Sequence, residues 1–372
     1  MKLGKNYLMS GNYHAALACF KKHLEISQSK RDYREVASTH LAMGKCYYNL
    51  DMSLQGVMCY EKYLNIAVGL GLDQGSDGRV CYSIGNNYMQ LNNYDTAKEY
   101  LTKGLDIAKK MGDKKLECDC CDNLGEVYRR LDHLQESLKC FNYSLKVAKQ
   151  IGYTMRERRA YVQLGEVYNS LGRPHEAIDS FESLLKFAQE RGEKQSEANA
   201  YYNLSIVYVK TRGQYDKAIL YCEKSAAIAK EANDLQTEGM AYFNLGLIYF
   251  RQRKFEDAKK CFMKQMEIAK ETSDEGREAK VYNELGNLSG HQGNYSDAVK
   301  YFERSLEIET KLDAGSQGAR LVQRNLAAIY RVVGKPKEAI SCYQKYLEEK
   351  KEKPDLEAEK TSTWNLHIFI VR

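Results

Sequence analysis

The chain has 372 residues, of which 43% are hydrophobic, and 56 basic and 50 acidic side chains leave a formal charge of +6. Burial on that scale can offset ordering entropy, which excludes wholesale disorder. The mixed, mildly basic charge excludes the strong positive field of a dedicated nucleic-acid binder, and only 3 prolines exclude proline-rich linkers and collagen.

In chain order, a small residue followed three positions later by an aromatic recurs throughout: Gly4/Tyr7, Gly44/Tyr47, Gly85/Tyr88, Gly125/Tyr128, Gly165/Tyr168, Ser205/Tyr208, Gly246/Tyr249, Gly286/Ser289 and Ala327/Tyr330. Ser289 is the one departure from the aromatic, and successive occurrences lie 40 or 41 residues apart. A second pattern follows each at an offset of 12 or 13, a small residue and then a large one four later. It runs Ala16/Phe20, Gly56/Tyr60, Ala97/Leu101, Ser137/Phe141, Ala177/Phe181, Ala218/Cys222, Ala258/Phe262, Ala298/Phe302 and Ala339/Tyr343. Spacings of three and four place each pair on one helix face. The small member admits a neighbouring helix and the large member fills the space beside it.

Turn residues such as Leu171-Gly172-Arg173-Pro174 and Gly334-Lys335-Pro336 separate the two patterns, and proline there can open a second helix. Gly71, Gly112, Gly152, Gly192 and Asn233 then mark the stop after it, because these residues tolerate the left-handed conformation. Each unit is predicted to be helix, tight turn, helix, stop.

Segments such as Asn123-Leu124-Gly125-Glu126-Val127-Tyr128 and Glu176-Ala177-Ile178-Asp179-Ser180-Phe181 resemble the tetratricopeptide repeat, whose helix A carries Leu-Gly-x-x-Tyr and helix B Ala-x-x-x-Phe over about 34 residues. The longer period is similar to the subtype of Pins/LGN-type adaptors. The resemblance implies an all-α, right-handed superhelix of about nine repeats over residues 1–350, the first incomplete at its N-terminus. Residues 351–372 are expected to be a tail or the truncated start of a tenth repeat, since Asn365 follows Asn325 by 40 residues.

Such arrays use a concave wall to hold other chains, and the resemblance implies a non-enzymatic scaffold or adaptor that binds a peptide or extended protein segment. With the motif glycine taken as position 8, positions 4, 7, 8 and 11 of helix A are mostly apolar and positions 2, 6, 9 and 13 mostly polar. In the resemblance the polar stripe lines the groove. Position 6 holds an amide ladder, with Asn123, Gln163, Asn203, Asn244 and Asn325 as the expected ligand contacts. A carboxamide both donates and accepts, so it can pair with a peptide backbone; alternatively, the amides only bridge neighbouring helices. Arg79, Arg159 and Lys280 at position 2, and Arg324 at position 5, are candidates for holding acidic ligand side chains. Asp119, Asp122 and Glu284 depart from the basic or amide residues the family uses there.

The other constellations point to packing. Cys118-Asp119-Cys120-Cys121 puts only Cys118 and Cys121 on one helix face, two ligands short of a closed zinc site. Cys19, Cys59, Cys140, Cys261 and Cys342 share one register of helix B, as small packing residues do. The 7 histidines occupy unrelated registers, and Gly69-Leu70-Gly71-Leu72 is a helix ending rather than a phosphate loop. No metal, cofactor or catalytic group is therefore expected. The cysteine pattern fits a reducing cytoplasm. Met1-Lys2-Leu3-Gly4-Lys5 does not begin a signal peptide, and no apolar run of about 18 residues calls for a membrane. Two alternatives stay open: an oligomerisation module stacking on a second copy, and a helical-repeat RNA binder, against which the acidic residues in the groove stripe argue.

Overall fold

The computed structural model describes residues 1–71, 74–211, 214–313 and 316–352. Every regular element in them is an α-helix. The contacts divide the chain into two units, Met1–Phe187 and Ala188–Arg372. In the first, A and B helices alternate as α1 (Lys2–Met9) and α2 (Tyr13–Ser29), α3 (Tyr33–Asn49) and α4 (Ser53–Leu70), α5 (Gln74–Gln90) and α6 (Tyr94–Met111), and α7 (Lys114–Arg130) and α8 (Leu134–Ile151). α9 (Thr154–Ser170) follows, and the boundary falls inside α10 (Pro174–Arg191). The second continues with α11 (Lys194–Lys210) and α12 (Tyr215–Glu231), α13 (Leu235–Arg251) and α14 (Phe255–Glu271), α15 (Glu275–His291) and α16 (Tyr295–Asp313), and α17 (Gln317–Val332) and α18 (Pro336–Glu352). The expected tail, 351–372, lies outside the described residues beyond Glu352.

The longer period has a simple origin. From α3 onward most helices are 17 or 18 residues long, so the added residues lengthen the helices and the turns stay tight. Gly112 ends α6 at φ 70°, where its N–H meets the carbonyl of Lys109. Asp113 then caps α7 by accepting from the N–H of Leu116 at 3.0 Å. Asp234 and Asp274 cap α13 and α15 in the same way, each satisfying a donor the helix cannot.

The paired patterns meet within each repeat. A Cβ added to Gly125 would lie 2.6 Å from Phe141 Cε1, and one added to Gly286 would lie 2.7 Å from Phe302 Cε1. Gly44 opposes Tyr60, Gly246 opposes Phe262 and Gly85 opposes Leu101 in the same manner. The rings of Phe20, Phe141, Phe181, Phe262 and Phe302 are fully buried. Within each unit consecutive helices pack along the chain, and successive A helices also touch: α5 with α7, α7 with α9, α11 with α13, and α15 with α17.

Candidate functional site

Because position 8 of helix A is pressed against helix B, position 6 turns toward the A helix of the preceding repeat. Asn123 Nδ2 donates to Asn86 Oδ1 on α5 and is buried. Asn325 Nδ2 donates to Asn283 Oδ1 at 3.1 Å and Asn287 Oδ1 at 3.4 Å, both on α15. Asn244 Nδ2 reaches α11, donating to Ser205 Oγ at 2.9 Å, and meets Cys222 Sγ at 3.4 Å. Asn203 instead donates to the carbonyl of Asn199 on its own helix at 2.9 Å. Gln163 Oε1 is buried without a partner.

These bonds change the chemistry expected of the ladder. The nitrogens of Asn123, Asn244 and Asn325 bridge helices, and that of Asn203 is tied to its own helix. Among the described residues, the Oδ1 atoms of Asn203, Asn244 and Asn325 accept no hydrogen bond. What each offers outward is an acceptor whose orientation its own nitrogen has fixed.

The candidate cations also divide. Arg79 Nη2 pairs with Asp113 Oδ2 at 3.0 Å, with the arginine side chain 74% exposed. Arg159 Nε pairs with Asp122 Oδ2 at 3.1 Å. Lys280 is exposed, and Arg324 is half-buried.

The sequence reading missed Arg156, which binds both unexpected acids of α7: Nε to Asp119 Oδ1 at 2.7 Å and Nη1 to Asp122 Oδ2 at 2.6 Å. Its Nη2 also reaches the hydroxyl of Tyr82 on α5 at 3.4 Å. Burial works against the charge of Arg156, but Asp122 and Asp119 outweigh it and raise its pKa. Burial pushes Asp122 up, opposed by Arg159 and Arg156. The available signal was that carboxylates at positions 2 and 5 of a closely packed helix need counter-ions from the next repeat. Nearby, Glu126 accepts from Arg129 at 2.6 Å and Arg130 at 2.8 Å, while burial raises the pKa of Glu166.

Cys118 Sγ rests 3.3 Å from Ser144 Oγ, and burial raises the pKa of Cys118, Cys120 and Cys121. Among the described residues no group of three His, Cys, Asp or Glu could hold a metal ion. No helix among them is long and apolar enough to cross a membrane.

A family model described as Tetratricopeptide repeat matches residues 156–231, 237–311 and 277–352, and a second of the same description matches 78–111. With over half the chain matched, the protein belongs to the tetratricopeptide repeat family, the class of helical-repeat solenoids. No curated protein matches. Among solved structures, the apo form of RapI is 13% identical with a TM-score of 0.69, over 94% of this chain and 96% of its own. The quorum sensor NprR from B. thuringiensis is 17% identical with a TM-score of 0.60, over 92% and 99%. A Rap protein complexed with Competence and Sporulation Factor is 17% identical with a TM-score of 0.52, over 94% and 96%. At these identities the likeness is one of fold.

Proposed function

We propose that the chain is a non-enzymatic adaptor, working in a reducing cytoplasm, whose repeats through residue 350 capture an extended protein segment along the exposed side of the A helices. One observation carries this reading: Asn203, Asn244 and Asn325 have nitrogens tied into the protein and carbonyl oxygens that accept no hydrogen bond among the described residues. Acceptors held in place lower the ordering cost of pairing with a ligand's backbone N–H groups. The Rap protein of similar fold, solved with a bound factor, supports the same reading.

The test is selection of ligands from a random twelve-residue peptide library displayed on phage. The wild-type chain should yield a consensus, and a selected peptide should bind Asn203→Ala/Asn244→Ala about tenfold more weakly. Unchanged binding by that variant, with its helix content and melting intact, would sink the proposal.

A further inference from the structure

The second unit repeats a constellation of the first, with its central anions removed. In the first unit, Tyr82 at position 5 of α5 faces Arg156, nine residues before the glycine of its repeat, and Arg159 stands at position 2 of the same helix. Asp119 and Asp122, at positions 2 and 5 of the intervening α7, fill the space among them. In the second unit the corresponding residues are Tyr202 on α11, and Arg277 and Lys280 on α15. The intervening α13 carries Met240 and Phe243 where α7 has its two aspartates.

The cations of the second unit therefore lack the carboxylates that hold those of the first. Arg277 pairs through Nε with Asp274 Oδ2 at 3.0 Å, at the start of its own helix, and its side chain is 21% exposed. Its charge is felt by the Tyr202 phenol, whose pKa burial raises and Arg277 lowers. Lys280 has no ion-pair partner among the described residues. Glu284, one turn further along α15, is held by the amides of Asn283 at 3.0 Å and Asn287 at 3.2 Å.

We propose that Tyr202, Arg277 and Lys280 receive the acidic side chain of a bound peptide, which occupies over α13 the place that Asp119 and Asp122 fill over α7. This rests on the groove reading above and adds to it. The first unit supplies its own anions and does not select for acid, whereas the second takes its anion from the partner. Met240, at the register of Asp119, would accept an apolar residue flanking that acid, while Phe243 packs against the core ring of Phe262. The ligand is thus an acidic segment with an apolar neighbour. An ammonium and a guanidinium converging on one carboxylate form charge-assisted hydrogen bonds stronger than neutral ones.

The same phage library tests this. Wild-type selections should be enriched in Asp and Glu beside Leu, Ile or Phe. Lys280→Glu, on an exposed side chain, should abolish the acidic enrichment. Met240→Asp, which places an anion where α7 has Asp119, should do the same while leaving helix content and melting unchanged. A selected acidic peptide, followed by fluorescence anisotropy, should lose about tenfold in affinity for either variant, and no more than about twofold for Arg79→Gln. Acidic enrichment that survives Lys280→Glu overturns the proposal. So does a consensus without acids, although that result leaves the groove reading standing if the consensus still requires Asn203 and Asn244. Selection of no consensus at all overturns both.

Discussion

Replacing Gly125 by alanine isolates the contact that sets the helix separation inside a repeat. The new Cβ would lie 2.6 Å from Phe141 Cε1 and 2.7 Å from Cδ1, distances that real carbons do not adopt. The ring is fully buried and cannot swing into solvent, so either it leaves its rotamer or α7 and α8 move apart. Overpacking of this kind costs about 1–3 kcal/mol. Alanine recovers about 1 kcal/mol over glycine in a helix interior, which leaves a net loss of about 0–2 kcal/mol. Phe141→Cys alone should cost about 3 kcal/mol through lost burial and a cavity. The double variant imitates Ser205 and Cys222, the repeat in which a residue with a Cβ faces a cysteine. It should therefore be more stable than the sum of the single losses by about 1–2 kcal/mol. Urea unfolding followed by circular dichroism, with hydrogen exchange of α7 and α8 to localise the effect, measures the cycle. Strict additivity, or a Gly125→Ala variant more stable than the wild type, would refute the reasoning.

Other expectations follow from the charges and thiols. Arg156→Gln leaves the fully buried carboxylate of Asp122 short of a partner and should cost about 3 kcal/mol, visible as a lower melting temperature; Arg79→Gln, on an exposed pair, should cost less than about 1 kcal/mol. Burial pushes Glu117 and Glu126 up, but hydrogen bonds from Lys114 and Tyr143 to the first, and from Arg129 and Arg130 to the second, prevail and depress both pKa values. Their contribution is complete above the ordinary value of 4.5 and is lost as pH falls through the depressed folded values. Melting temperature should accordingly drop on the acid side, and Glu126→Gln should reduce that drop; Asp122, shifted upward, contributes in the opposite sense. Burial raises the Cys222 thiol to about 11 and Cys121 to about 12, so iodoacetamide at neutral pH should leave both unlabelled in the folded chain and label them in urea, as read by peptide mass spectrometry.

Much of this architecture was legible because it repeats. A glycine and a ring recurring in fixed phase disclosed both helices, their facing sides and the turns, and the left-handed stops at Gly112 and Asn233 stand where their residue types placed them. Asp113 and Asp234, each directly after one of those stops, cap the helices that follow. The ladder was legible as a face but not as a set of bonds. Periodicity assigns Asn244 to one side of α13, but Ser205 on α11 and Cys222 on α12 come within reach of its nitrogen only once the helices have packed. Arg156 escaped for the same reason. Within its own helix it is one cation of a charged run, and its role exists only against α5 and α7.

The joint formed by Ser205, Cys222 and Asn244 bears on how such arrays can be shuffled. Repeats filled by a phenylalanine ring carry their own plug. The Ser205 repeat is completed by an amide from the module after it. Transplanting it without its successor would leave the serine hydroxyl missing its donor, which fixes the order of these two modules.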